Sequence, residues 1–161
     1  MPDLPQSSRV VVIGGGVVGA SVLYHLTKAG WTDVVLLERR ELTAGSTWHA
    51  AGGMHTINGD PNVAALQRYT VQLYEDLERE SGVSCGLHLT GEVMLADSEE
   101  RMDWLRMAHA RGRYLGMRTE VISVTEAAEK IPFIVPEHFV GALWDPVGGH
   151  VDPSGVTHAY A

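Results

Sequence analysis

Residues 9–53 read RVVVIGGGVVGASVLYHLTKAGWTDVVLLERRELTAGSTWHAAGG, and the first thirty of them decide the fold. Val10 to Ile13 is a short β-branched apolar run bounded by glycine, the pattern of a strand buried on both faces. Gly14-Gly15-Gly16 turns the chain into a helical pattern, and a second apolar run, Val34 to Leu37, ends at Glu38. Strand, helix and strand within about 30 residues make a βαβ unit.

Gly14, Gly16 and Gly19 fit G-x-G-x-x-G. The first allows a tight turn, the second a close approach of pyrophosphate to the backbone, and the third close packing of helix on strand. The helix start at Val17 and Val18 then offers free N–H groups and a partial positive charge to phosphate. Glu38, 24 positions after Gly14, can accept from ribose hydroxyls. Alone the glycines would be weak evidence. In this strand–helix–strand context they indicate a bound dinucleotide.

The 161 residues suffice for a sizeable core. The formal net charge of −8 argues against nucleic acid or an anionic membrane surface as partner. The single cysteine, Cys85, cannot close an internal disulfide, which fits a reducing compartment, and it reads as a small, partly buried residue. The opening MPDLPQSS has neither the basic nor the apolar part of a signal peptide, and no apolar run reaches the ~20 residues of a membrane span. The expected location is therefore cytoplasmic, or the mitochondrial matrix in a eukaryote. The ending THAYA falls within a starting helix, and a dinucleotide fold needs more parallel strands than these, so an N-terminal piece of a longer chain is expected.

Further along, helices are expected at Val17–Ala29, from Asp60-Pro61 to Gly82, from Ser98 toward Leu115, at Thr125–Lys130 and after Asp152-Pro153. Their apolar stripes are Val18, Val22, Leu26 and Ala29 in the first, Val63, Leu66, Tyr69, Leu73 and Leu77 in the second, and Met102, Leu105 and Ala108 in the third. Strands are expected at Leu87–Ala96, bent at Thr90-Gly91, at Thr119–Val124 and at Phe139–Trp144. Arg39 to Asp60 reads as a loop with at most a short helical turn. This order gives an α/β fold class, with a Rossmann-type βαβ unit in 1–83, the start of an α+β substrate domain with antiparallel strands in 84–145, and a return segment in 146–161.

The loop from Thr43 to Gly53 follows the acid at the strand end, so it runs alongside the rest of a dinucleotide. Its small residues permit close approach, and Ser46 and Thr47 can donate to phosphate or ring atoms. His49 could hydrogen-bond a ring, act as a base or attach covalently, since neutral imidazole is a nucleophile. The residues alone leave these open beside a plain surface role. His55 and His150 are further candidates for a pocket, balanced against ordinary loop and turn positions, while His88 and His109 read as structural or solvated. No histidine pair or cysteine set has metal-ligand spacing. Arg101, Arg106, Arg111 and Arg113 read as a solvated helix face, and Trp104, Tyr114 and Trp144 as core or interface.

The segment LLERRELTAGSTWHAAGG resembles the N-terminal flavin domain of the dimethylglycine and sarcosine dehydrogenase family, within the D-amino-acid-oxidase-like flavoproteins. Gly14, Gly16, Gly19 and Glu38 fit its nucleotide fingerprint, Thr43 to Gly52 its flavin-attachment loop, and Gly149-His150-Val151-Asp152-Pro153 its G-H-x-D-P element; residues 84–135 match loosely. The resemblance implies FAD, with Val17 and Val18 at the phosphates, Glu38 and Arg39 at the adenosine ribose, and Gly45, Ser46, Thr47, Trp48, His49, Ala50, Ala51, Gly52 and Gly53 on the flavin side. It also implies covalent attachment of the flavin to His49. The implied reaction oxidises the N-methyl C–N bond of a small N-methylated amino acid, passing electrons to an electron-transfer flavoprotein or to oxygen. The stretch Gly53 to Gly59 departs from the mammalian members, which leaves the substrate open. Alternatives are another amine such as 4-methylaminobutanoate, a D-amino acid, or a non-catalytic regulatory relative. An NAD site is disfavoured because nicotinamide does not require the G-S-T-W-H loop. No catalytic residue is assigned and no metal is expected.

Overall fold

The computed structural model describes residues 5–161. Of the opening MPDLPQSS, residues 1–4 lie outside the described residues. The chain divides into two compact units, 1–52 with 73–87 and 151–161, and 53–72 with 88–150.

The first unit holds strand β1 (Val10–Ile13), helix α1 (Val17–Lys28) and strand β2 (Val34–Leu37), with β1 and β2 parallel and Val10 opposite Val34. Helix α1 stops because Ala29 and Gly30 close it, Gly30 taking φ +88, which glycine adopts at low cost. The final helix, α5 (Pro153–Tyr160), packs on α1, and Asp152 caps it by accepting the Ser154 N–H at 2.9 Å. Between them lies a core of Ala20, Leu73, Leu77, Cys85, Val156, Ala159 and Tyr160.

Two packing expectations are corrected here. Strand β1 is not buried on both faces: Val11 is 48% and Ile13 85% exposed, because among the described residues only α1 covers this two-stranded sheet. Helix α1 buries Ala20 and packs the partly buried Val17 and Tyr24 on the core rather than the expected stripe, and Val18 and Val22 face outward. The partner that decides the buried face is α5, more than 120 residues away in sequence, which no local period could reveal.

Cys85 is fully buried, more than the sequence suggested. Burial, with the Glu78 and Asp152 carboxylates nearby, pushes its thiol up to about 11. A thiol reagent at neutral pH is expected to label Cys85 only after denaturation; rapid stoichiometric labelling of the native protein would contradict this burial.

The second unit is built on a three-stranded antiparallel sheet in the order β4 (Glu92–Ala96), β6 (Gly141–Asp145), β5 (Glu120–Ile122). Helix α3 (Glu99–Tyr114) connects β4 to β5, and α4 (Val124–Lys130) connects β5 to β6. The caps match their sequence cues: Ser98 accepts the Arg101 N–H, and Ser123 with Glu126 forms a capping box. That box starts α4 at Val124, so the strand before it ends at Ile122, two residues earlier than expected. Met102 and Leu105 join Ala96 and Leu143 in one cluster, while Ile122, Ala127 and Ala142 make another. Trp104 and Tyr114 are exposed under Arg101 and Arg111, so of the reading of these rings as core or interface the core half is corrected for these two.

Helix α2 (Pro61–Ser81) begins where Asp60 accepts the Asn62 and Val63 N–H groups and ends at Gly82. Its last nine residues belong to the first unit, with Leu73 and Leu77 in the core, but Val63, Leu66 and Tyr69 are exposed, so the stripe extends into the core only at its C-terminal end. A small antiparallel pair, β3 (Gly53–Met54) with β7 (Gly149–His150), was not anticipated; two residues are too few to show a period.

Candidate functional site

The glycine turn is organised by two side chains from later in the chain. Gly14 takes φ +111 as the strand ends, and its N–H continues the ladder to the Leu37 carbonyl. The Gly15 N–H donates to Oε2 of Glu38 at 2.7 Å, and the Arg40 N–H to Oε1 at 2.9 Å. A Cβ on Gly15 would fall 2.7 Å from Leu42 and 2.9 Å from Glu38, so this middle glycine is required although the fingerprint does not name it. The signal for it was the third glycine in a row. A Cβ on Gly19 would stand 1.9 Å from the Gly14 carbonyl oxygen, so helix and turn touch backbone to backbone.

Thr47 sits in a 3-10 turn, Thr47–His49, and is buried. Its hydroxyl accepts the Val17 N–H at 3.0 Å and would lie 2.9 Å from a Cβ on Gly16. The helix start is therefore held against the loop by one hydroxyl. Gly16 supplies no side-chain cap and the first turn carries no acid. The N–H groups of Val18 and Gly19 have no acceptor within the helix, so the positive end of α1 stays available to an anion.

Glu38 accepts from the N–H groups of Gly15 and Arg40 and is helped by Arg39, and these hold its carboxyl below the ordinary value of 4.5. A depressed native pKa adds stability that is complete above the ordinary carboxylate range and is lost as pH falls through the native value. Urea midpoints of the wild type are expected to fall with acid over that window, and Glu38→Gln is expected to flatten this part of the dependence. An unchanged profile in the variant would refute the coupling.

Beyond Thr47 the loop is open. Nothing lies within contact distance of a Cβ on Gly45, and Ser46, Ala50 and Ala51 are exposed. The rings of Trp48 and His49 stack with centroids 3.7 Å apart. Nδ1 of His49 lies 3.2 Å from the Gly45 carbonyl, an acceptor only, so Nδ1 is the donor and, in the neutral ring, Nε2 presents the lone pair. Gly52 ends the loop at φ +72, against the Val151 carbonyl, and accepts the Val151 N–H at 2.9 Å. Thus the structure gathers Gly14, Gly16, Val17, Val18, Gly19, Glu38 and Thr47 tightly, with Arg39, Trp48 and His49 exposed beside them in the same unit. Gly53 opens the second unit, paired with His150. In that unit His150 bridges His88 with rings 5.0 Å apart, His109 bonds Thr119 at 2.9 Å, and His55 lies 3.7 Å from Glu92.

Residues 9–161 match the family model for the DAO group, FAD dependent oxidoreductase. The chain belongs to this family. Rat mitochondrial dimethylglycine dehydrogenase is 39% identical over 160 residues, 99% of this chain and 19% of that protein. Mouse mitochondrial pyruvate dehydrogenase phosphatase regulatory subunit is 37% identical over 158 residues, 98% of this chain and 18% of that protein. The chain thus spans about a fifth of the length of these two relatives. Among solved structures, L-proline dehydrogenase from P. horikoshii superposes with TM-score 0.90 at 30% identity, over 98% of this chain and 41% of that one. The chain is therefore a DAO-family segment related to dimethylglycine dehydrogenase. In it the helix start with the N–H groups of Val18 and Gly19, the glycine turn and a strand-end carboxylate fit what FAD presents: a pyrophosphate to the first two and ribose hydroxyls to the third. Among the described residues of this family member, no helix is long and apolar enough to cross a membrane.

Proposed function

We propose that this chain is the flavin-holding part of an amine dehydrogenase or oxidase that oxidises the N-methyl C–N bond of a small N-methylated amino acid of the dimethylglycine or sarcosine type. The observation that carries the reading is His49: an exposed imidazole whose Nδ1 is committed to the Gly45 carbonyl, which leaves Nε2 as the nucleophilic nitrogen. Gly14, Gly16, Val17, Val18 and Gly19 would hold the pyrophosphate, and Glu38 with Arg39 the adenosine ribose. Gly45, Ser46, Thr47, Trp48, Ala50, Ala51, Gly52 and Gly53 would line the flavin side, where His49 would tether the 8α carbon through Nε2. FAD, when bound, supplies the two-electron acceptor. The chain's own residues hold and orient it: Thr47 sets the helix start against the loop, and the Trp48 ring fixes the imidazole plane.

Electrons would leave to an electron-transfer flavoprotein or to oxygen, and the place of action would be the cytoplasm, or the mitochondrial matrix in a eukaryote. As functional divisions, distinct from the compact units, we propose 83/84 and 145/146, the first and last parts serving FAD and the middle the substrate, although 53–72 and 146–150 pack in the second unit. The test is to acid-precipitate the full-length protein and look for flavin on the polypeptide, then to follow bleaching by N,N-dimethylglycine, sarcosine, 4-methylaminobutanoate and a D-amino acid. A colourless pellet would sink the tether, and bleaching by the D-amino acid alone would sink the N-methyl reading. The identity to the phosphatase regulatory subunit favours a second reading, a non-catalytic regulatory protein. Bound FAD that no amine reduces would establish it.

A further inference from the structure

The outer face of α3 borders a cavity that the flavin reading leaves unused. Helical periodicity puts Trp104, Met107, Ala108 and Arg111 on one face, at i, i+3, i+4 and i+7. The other side of the helix, Met102 and Leu105, is buried against Ala96 and Leu143 of the sheet. The outer face meets the loop Ile57-Asn58-Gly59, and together they line a cavity of about 420 Å³ that lies wholly within the second unit. That volume falls in the range of small-molecule sites. Its walls are mainly apolar. Ile57 and Ala108 rest on the core cluster beneath α3, while Trp104 and Met107 are 43% and 61% exposed. Apolar wall left in water favours an apolar occupant, and the unbranched Met107 adapts to its shape.

Charge selects the kind of occupant. Arg111 stands at one end of the stripe, with its Nε donating to the Gly59 carbonyl at 3.2 Å and its guanidinium 5.4 Å from the centre of the Tyr114 ring. The fork is thus held at the cavity by Nε, and its Nη groups are left to donate. At the other end Arg101 lies 4.2 Å over the Trp104 ring. Neither arginine has a carboxylate partner among the described residues, whereas Arg106 on the same helix is taken by Asp103 at 2.6 Å and Glu99 at 3.9 Å. Asp60, next to the loop, directs Oδ1 to the Asn62 and Val63 N–H groups. Two unpaired guanidiniums in a chain of net charge −8 make a local place for an anion. A guanidinium fork matches a carboxylate through two parallel hydrogen bonds. From Trp104 to Arg111 the helix rises only about 10 Å, room for one small body rather than a length of strand or helix. We propose that this cavity binds a small carboxylic acid with an aryl or branched alkyl body, the body against Ile57, Trp104 and Met107 and the carboxylate on the Nη groups of Arg111. The site is independent of the amine-oxidising reading and of His49. Its occupant touches both α3 and the loop 57–59, so binding ties one to the other and raises stability with ligand concentration.

The experiment uses the full-length, flavin-loaded protein and three compounds that share one body: 4-phenylbutanoate, 4-phenylbutanamide and 4-phenylbutylamine. Calorimetry gives the affinities. Methyl-labelled methionine, with Met107→Leu to assign the signal, gives the place by NMR. The acid is expected to bind with a Kd of about 1 mM or tighter and to shift the Met107 methyl signal. The amide is expected to bind about tenfold more weakly, for want of the charge-assisted pair, and the amine more weakly still. These readouts need only the wild type and the assignment variant. Arg111→Gln and Trp104→Ala change exposed side chains and are each checked first for an unchanged melting temperature and flavin content. Arg111→Gln is expected to reduce the acid to the affinity of the amide and to leave the amide unaltered. Trp104→Ala is expected to weaken both. Equal affinity for acid and amide in the wild type, or no binding of the acid below about 10 mM, overturns the site. So does an acid preference that survives Arg111→Gln, or acid binding that leaves the Met107 signal unmoved, which would put the compound elsewhere, the flavin site included.

Discussion

Replacing Gly19 by alanine is expected to cost the fold about 3 kcal/mol or more, the upper end of what overpacking does. The added methyl would stand 1.9 Å from the Gly14 carbonyl oxygen, with the Gly14 carbonyl carbon at 3.1 Å. Both are backbone atoms, so no rotamer change relieves the clash. Either α1 moves off β1 or the turn at Gly14 opens, and each movement also separates Val17 from the Thr47 hydroxyl. The loss should therefore appear twice, as a lower urea midpoint and as weaker FAD retention. A variant with wild-type midpoint and wild-type flavin content would show that the turn and helix are not packed as described. Alanine at Gly45, where a Cβ meets nothing, is the control and should leave the midpoint nearly unchanged.

Replacing His49 by alanine is expected to change the cofactor's fate without disturbing the fold. The side chain is exposed, and what it gives up is the stack on Trp48 and one hydrogen bond to Gly45. Aromatic pairs contribute about 0.5–1.5 kcal/mol, and an exposed pair belongs at the low end. The melting temperature should hardly move. Under the proposed tether, flavin on the acid-precipitated polypeptide should fall from full occupancy to none, while the native variant still binds FAD through the glycine turn and Glu38. Flavin persisting in the denatured variant would place the attachment elsewhere. Failure of the native variant to bind FAD at all would mean that His49 serves the fold.

The parts of this molecule that could be read in advance are those governed by neighbours in sequence. The ends of β1, α1 and β2 follow from glycines and β-branched runs, and Asp60, Ser98 and Asp152 cap helices where their side chains can reach the next N–H groups. The fingerprint glycines and Glu38 were legible because their spacing encodes a turn. Illegible were contacts set by distant chain. The outward face of α1 depends on α5, and the role of Thr47 on the N–H of Val17, thirty residues before it. The stripe Val63, Leu66, Tyr69 misled because periodicity shows which residues share a face, not whether anything covers it.

The chain passes between its two compact units at 52/53, 72/73, 87/88 and 150/151. For protein engineering this sets the rules of exchange. A graft of the second unit from a relative has to be spliced at four points rather than one, and one of those, 72/73, lies inside a continuous helix whose turn must be kept in phase. A single proteolytic nick releases neither unit. Side chains are therefore more easily changed in place than whole units are recombined.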